Sequence, residues 1–144
     1  MIAAQEIAAV LGGESLLRRK IRSFDDLEML VARGLPKKAA LKVVGGLRAT
    51  ADARARLLAF IASPATLKRR RERLKGDESE RTERLARIIA TARHVWGDEE
   101  LARKFLTAPH KMLRDRAPIE VAMSELGARR VEALLWDIYY GFPV

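Results

Sequence analysis

From Lys68 to Lys75 the chain reads Lys-Arg-Arg-Arg-Glu-Arg-Leu-Lys, six cations in eight positions, following Ser63-Pro64-Ala65-Thr66-Leu67. Guanidinium forks pair bidentately with phosphate oxygens and ammonium groups meet them as point charges, so these residue types at this density suit a polyanion. Nucleic acid is the first candidate, because each phosphate neutralised releases a condensed counterion. A basic surface kept only for solubility is the plain alternative. Bond-making chemistry has far less to work with. There is no cysteine, which removes disulfides, thiolate zinc sites and a thiol nucleophile. His94, in Arg93-His94-Val95-Trp96, lies beside an apolar face and reads as a satisfied, partly buried ring. His110 follows Pro109 in a loop, with no serine or cysteine nucleophile motif, and reads as an exposed polar residue. Gly12-Gly13 and Gly45-Gly46 lack the Lys-Ser/Thr of a phosphate loop. These residues predict no catalytic group, no metal site, no cofactor and no small-molecule substrate.

The net charge of +9 is unevenly spread. Through Gly76 there are 17 Lys and Arg against 7 Asp and Glu, whereas from Asp77 onward there are 11 against 12. The first half therefore carries the field that a polyanion would meet. With 144 residues, 49% of them hydrophobic, the chain is long enough for one compact unit or two small ones. No apolar run reaches the roughly 18 residues of a membrane helix, and Met1-Ile2-Ala3-Ala4-Gln5-Glu6 lacks the basic start of a signal peptide, so a soluble cytoplasmic protein away from membranes is expected.

The elements that must hold the basic run are helical. Sustained alternation of β-branched and polar residues is missing, whereas helix caps recur, which predicts an all-α fold. Ile2 to Leu11 reads as a short amphipathic helix stopped by Gly12-Gly13, and Ser23 with Asp26 caps a helix from Phe24 to Arg33, closed by Gly34. Pro36 opens the next helix. Thr50 caps Ala51 to Ile61, and Ser63-Pro64 starts a helix expected to run from Pro64 to about Lys75. Two helices joined by Ala62-Ser63 have the layout of a helix-turn-helix, whose second helix enters a major groove. Leu67 and Leu74 would share the inward face of that second helix. Ala65, Thr66, Lys68 and Arg69 would then point outward, with Ala65, Lys68 and Arg69 nearest the base edges, and Arg70, Arg71, Arg73 and Lys75 would grip phosphate. Ile61 takes a turn position often given to glycine, where φ above zero would strain a β-branched side chain, so either an irregular link or a degenerate motif is expected.

Beyond Gly76, Asp77 is read as the cap of a helix carrying Leu85, Ile88, Ile89, Ala92, Val95 and Trp96 on its apolar side. Shorter pieces follow: Glu99 to Leu106, then two segments after Pro109 and Pro118, the second from Ala128 to Tyr140 with Gly141 as its stop. The last residues, Phe142-Pro143-Val144, carry no charged side chain where polar residues are usual. Either they fold back on their own domain or they insert into a partner.

Gly34-Leu35-Pro36, Ser63 with Thr66-Leu67 and Arg69-Arg70, Asp77-Glu78-Ser79 with Arg81 and Leu85, Val95 with Gly97-Asp98, Phe105-Leu106 with Pro109, Pro118, Gly127-Ala128, Val131 and Tyr140-Gly141 follow one another along the chain. In that order and spacing the sequence resembles the Xre/MbcA/ParS antitoxins of RES-domain toxins over nearly its whole length. The resemblance implies an N-terminal Xre-like helix-turn-helix domain, residues 1–76, that binds operator DNA. It also implies a small C-terminal helical toxin-binding domain, residues 77–144, that blocks a toxin consuming NAD or transferring its ADP-ribose. It further implies that Tyr139, Tyr140, Gly141, Phe142, Pro143 and Val144 enter the toxin's active-site cleft. The sequence departs from the family pattern at Phe105, where tryptophan is common, and at Arg114-Asp115-Arg116, where a glycine often stands. A two-fold operator calls for a homodimer. The competing reading is a stand-alone helix-turn-helix transcription regulator whose second half only dimerises.

Overall fold

Side-chain oxygens that accept the free backbone N–H groups of a first helical turn set half of the helix starts in this chain. Ser23 Oγ accepts from Asp26 N, Thr50 Oγ1 from Ala53 N, Ser63 Oγ from Thr66 N, Asp98 from Leu101 N and Ser124 Oγ from Gly127 N. The computed structural model, which describes residues 1–144, contains ten α-helices and no strand. They are α1 (Ala4–Val10), α2 (Gly13–Leu17), α3 (Phe24–Arg33), α4 (Lys37–Gly45), α5 (Ala51–Ile61), α6 (Pro64–Arg69), α7 (Gly76–Trp96), α8 (Glu99–Thr107), α9 (Pro118–Val121) and α10 (Glu125–Tyr139). The all-α reading holds. No helix is long and apolar enough to cross a membrane.

The 21-residue α7 is the axis of the molecule and packs against α1, α3, α4, α5, α8 and α10. Leu85, Ala86, Ile88, Ile89, Ala90 and Ala92 are all buried, a band wider than the single stripe of a surface helix, because neighbours from both halves of the sequence cover it. One continuous hydrophobic cluster therefore runs from Ile2 to Leu135. At the start of this helix Lys75, not Asp77, is the capping residue, and its N–H donates to the Glu78 carboxylate at 2.8 Å.

The largest departure from the sequence reading lies after α6, which ends at Arg69 and not near Lys75. Arg70 turns to extended backbone (φ −67°, ψ 121°), and residues 70–75 run against residues 34–37. Lys37 N donates to Glu72 O and Leu74 N to Leu35 O, each at 2.8 Å. Leu67 and Leu74 are both buried, but from a helix and from the extended strip respectively. The strip exchanges a few intrahelical hydrogen bonds for ones to residues far away in sequence, and it avoids placing like charges at adjacent turns of one helix. Further smaller differences are the short α2, which begins at Gly13 with Gly12 as its N-cap where the two glycines were read only as a stop, and the start of α10 three residues before Ala128.

Gly34 makes this crossing possible. Its φ is +105°, and a Cβ there would lie 2.2 Å from the Leu74 carbonyl oxygen. Gly34→Ala meets both a left-handed backbone and a backbone clash, and is expected to cost at least about 2 kcal/mol. Urea unfolding followed by circular dichroism at 222 nm measures this, and an unchanged midpoint would contradict the crossing.

Candidate functional site

The helix-turn-helix is built by α5, the link Ala62-Ser63 and α6. Ala62 (φ −162°, ψ 155°) and Ser63 (φ −58°, ψ 153°) are extended, and Ile61, fully buried, ends α5 without positive φ. The turn is thus made without a glycine, by two extended residues. It is held from outside: Arg81 of α7 donates to the Ile61 carbonyl through Nε at 3.1 Å and Nη2 at 2.8 Å, and pairs with Asp77.

The basic residues read from the sequence divide into two groups. Ala65, Lys68 and Arg69 are exposed on α6, while Thr66 is half-buried. Thr66 Oγ1 accepts from Ser63 Oγ at 2.9 Å and from Arg69 Nη2 at 3.3 Å, which lays the Arg69 guanidinium along the helix. Arg71 and Lys75 are exposed on the extended strip. Arg70 is committed within the protein, making a fork to Glu78 with Nε to Oε1 and Nη2 to Oε2 both at 3.0 Å, while Arg73 is exposed and donates through Nη1 to Gly34 O at 2.7 Å without a carboxylate partner.

Glu78 is the centre of a polar cluster on the first turn of α7. Its side chain is 6% exposed and that of Arg70 19%. The hydrogen-bonded Arg70 guanidinium, helped by the Lys75 N–H and the charges of Arg70 and Arg81, holds the Glu78 carboxyl below the usual carboxylate range against the opposing effect of burial. The same hydrogen bond raises the affinity of Arg70 for its proton. Beside Glu78, Ser79 Oγ accepts from Leu35 N at 2.8 Å and Thr82 Oγ1 donates to Glu78 O at 2.9 Å. Glu83, further along α7, is shifted the other way: burial raises its carboxyl, partly countered by Arg87.

At the other end of the sequence, α10 closes in a Schellman arrangement. Gly141 (φ +77°) donates to Ile138 O at 3.1 Å and Phe142 N to Asp137 O at 2.9 Å. The apolar contact that usually accompanies this motif joins the residues at the positions of Phe142 and Asp137, and here one of them is an aspartate. Phe142 is left 60% exposed and Val144 51%. Of the two arrangements left open by the sequence, folding back onto the core is not the one adopted. Tyr139 and Tyr140, both exposed, form a ring cluster with Trp136 and His94, with centroid separations of 5.4 Å (Trp136–Tyr139), 5.2 Å (Tyr139–Tyr140) and 5.5 Å (His94–Tyr139).

Both histidines hold structure. His94 is exposed, where a partly buried ring was expected, with Nδ1 3.4 Å from a Glu6 carboxylate oxygen, and His110 Nδ1 accepts from Met112 N at 3.1 Å, capping the 3-10 turn Lys111–Leu113. His110 is half-buried beside Phe105, where an exposed polar residue was expected. Two cations missed in the sequence reading, Lys37 and Lys38, gather with Arg18 beside Arg71. Two lysines in the first turn of α4, where the helix dipole disfavours cations, were the available signal.

A family model described as the antitoxin Xre-like helix-turn-helix domain matches residues 26–87, and one described as the antitoxin Xre/MbcA/ParS C-terminal toxin-binding domain matches residues 91–141. The chain belongs to the Xre/MbcA/ParS antitoxin family. A protein named Antitoxin Xre from Pseudomonas putida is 35% identical over 80 residues, which span 54% of this chain and half of that relative's length. The Xre-like match runs from α3 into α7 and so contains α5, α6 and the Glu78 cluster. The Xre/MbcA/ParS toxin-binding match ends at Gly141, immediately before Phe142.

The shift at Glu78 has a signed consequence. A carboxyl depressed in the folded state contributes stability that is present above its unfolded pKa, about 4.3, and is lost as pH falls through the folded value. Glu83, raised, acts with the opposite sign. Glu78→Gln is expected to lower the urea midpoint at pH 7 and to remove part of the fall in stability below about pH 4.3. Parallel wild-type and variant profiles from pH 3 to 7 would refute the role assigned to Glu78.

Proposed function

We propose that this protein is the antitoxin of a type II toxin–antitoxin pair, that it neutralises a RES-domain toxin by plugging the active site with its last residues, and that it binds its operator as a homodimer. It performs no reaction of its own in this reading and works in the cytoplasm. The carrying observation is the uncovered apolar end. Burying a phenylalanine is worth roughly 1.5–3 kcal/mol, and Phe142 forgoes most of that in the free protein. A partner's cleft supplies the missing contact. An uncharged aromatic segment suits a pocket shaped for a nicotinamide ring, where Phe142 and Pro143 would occupy the volume of the dinucleotide. Gly141 lets the chain leave the helix axis close to the partner. Tyr139 and Tyr140, ordered by Trp136 and His94, would widen the contact at the mouth of the cleft.

Residues 1–76 supply the DNA-binding part of this reading and residues 77–144 the toxin-binding part. Ala65, Thr66, Lys68 and Arg69 face bases from α6, and Arg71 and Lys75 meet phosphates from the strip. The internal hydrogen bonds of Arg70 and Arg73 give these two a supporting part, orienting the strip that presents Arg71 and Lys75.

Deletion of Phe142 to Val144 is expected to leave helicity and unfolding midpoint unchanged while growth arrest by a co-expressed RES-domain toxin returns. Full neutralisation by the truncated protein would sink the plug. For the DNA-binding surface, Lys68→Ala with Arg69→Ala is expected to weaken operator binding by roughly one and a half to four orders of magnitude, two specific base contacts at about 1–3 kcal/mol each. Fluorescence anisotropy against operator and scrambled duplexes reads this, and an unchanged preference for the operator would remove α6 as the reading helix.

A further inference from the structure

A cleft of about 490 Å³ lies where the strip after α6 meets the start of α4. Arg18, Lys37, Lys38, Arg71 and Arg73 line it, with Glu72 as its one carboxylate. None of these five cations is within salt-bridge distance of any carboxylate. Of the 17 Lys and Arg up to Gly76, only Arg56 and Arg70 are paired, whereas six of the 11 beyond it are. The concentration is imposed by the backbone. The hydrogen bonds Lys37 N to Glu72 O and Leu74 N to Leu35 O draw together two basic segments more than thirty residues apart, and Lys37 Nζ reaches Arg70 O at 3.4 Å. Arg18 brings a third segment of the chain to the cleft, in a left-handed backbone state that Arg48 and Arg114 also adopt elsewhere. It occupies the C-cap of α2 with φ +57°, a conformation that favours glycine or asparagine.

We infer that this cleft is a second anion site, which grips the phosphodiester backbone of DNA beside the groove entered by α6, without reading sequence. The inference rests on the DNA-binding reading above. Like charges packed into a concave, partly enclosed surface repel one another and focus a positive potential, which a phosphate relieves. Arg71 stands two residues beyond the last residue of α6, so a duplex seated on that helix brings its flanking backbone to the cleft. Arg18 precedes the 26–87 helix-turn-helix match, and Lys38 belongs to neither α5 nor α6, so the footprint extends beyond the two-helix unit. Phosphate contacts of this kind add affinity and salt dependence but no discrimination between sequences.

The test uses the full chain with Arg18→Ala and Lys38→Ala together, both exposed side chains outside the hydrogen bonds that hold the strip. Fluorescence anisotropy is measured against operator and scrambled duplexes from 50 to 300 mM salt. A control carries Lys104→Ala and Lys111→Ala, which change the net charge equally. Affinity is expected to fall on the order of tenfold for both duplexes alike, and the log–log salt slope to shrink by about 1.8, the value for two phosphates. The control should stay near wild type. If the cleft variant keeps wild-type affinity and slope while Lys68→Ala with Arg69→Ala weakens binding, the second site is wrong and the DNA reading stands. An equal loss in the control makes the effect one of net charge and overturns the cleft. Wild-type protein with no salt-dependent affinity for any duplex removes the DNA reading and the cleft together.

Discussion

The fork between Arg70 and Glu78 is the contact on which the arrangement of the N-terminal half turns. A carboxylate this deeply buried must be paired or be neutralised, and removing one member of such a pair leaves the other without solvent or partner. Glu78 is supplied by the Arg70 guanidinium and by the Lys75 N–H, so the residues between them, 70–75, are drawn off the helical path. Ser79 and Arg81, on the same turn of α7, bind the backbone of Leu35 and the carbonyl of Ile61. One helical turn thereby fixes the loop before α4, the end of α5 and the strip after α6. The positions of α5 and α6 relative to each other follow from that turn rather than from the two-residue link.

Charge is used differently along the chain. In the C-terminal half, arginines tie helices together: Arg84 reaches Glu125 and Arg87 bridges Glu83 and Glu132, joining α7 to α10. In the N-terminal half most cations have no carboxylate and remain available to an outside anion. The uncharged aromatic end after α10 is the complementary case, apolar surface left without cover. Both features forgo stability within the isolated chain, as surfaces kept for partners do.

Several elements could be read directly from residues. Ser23, Thr50, Ser63 and Asp98 announce helix starts because an N-cap needs only a side-chain oxygen within three residues, a local requirement. The apolar spacing of Leu85, Ile88, Ile89 and Ala92 announces α7 for the same reason. The excess of positive charge before Gly76 is a count and needs no structure. The end of α6 was not legible, since Lys68 to Lys75 has good helix formers and a clear pattern. Its true course depends on Glu78, Gly34 and Leu35, and the last two lie more than thirty residues away. How the chain turns after Ile61 was not legible either, since two extended residues and an arginine from α7 take the place of a glycine there.

By itself the sequence determined the helical class, the caps at Ser23, Thr50 and Ser63, the family resemblance, the sign and location of the excess charge, and the uncharged character of the last residues. All of these are set by residue type and short spacing. Only the tertiary structure decided which arginines are free and which are spent, that Lys37 and Arg18 stand beside Arg71, and that Phe142 lies uncovered. The physical reason is that a side chain's partner is a matter of distance in space. For Arg70, Arg73 and Phe142 that distance is governed by where α7 and the strip beside Gly34 place the backbone.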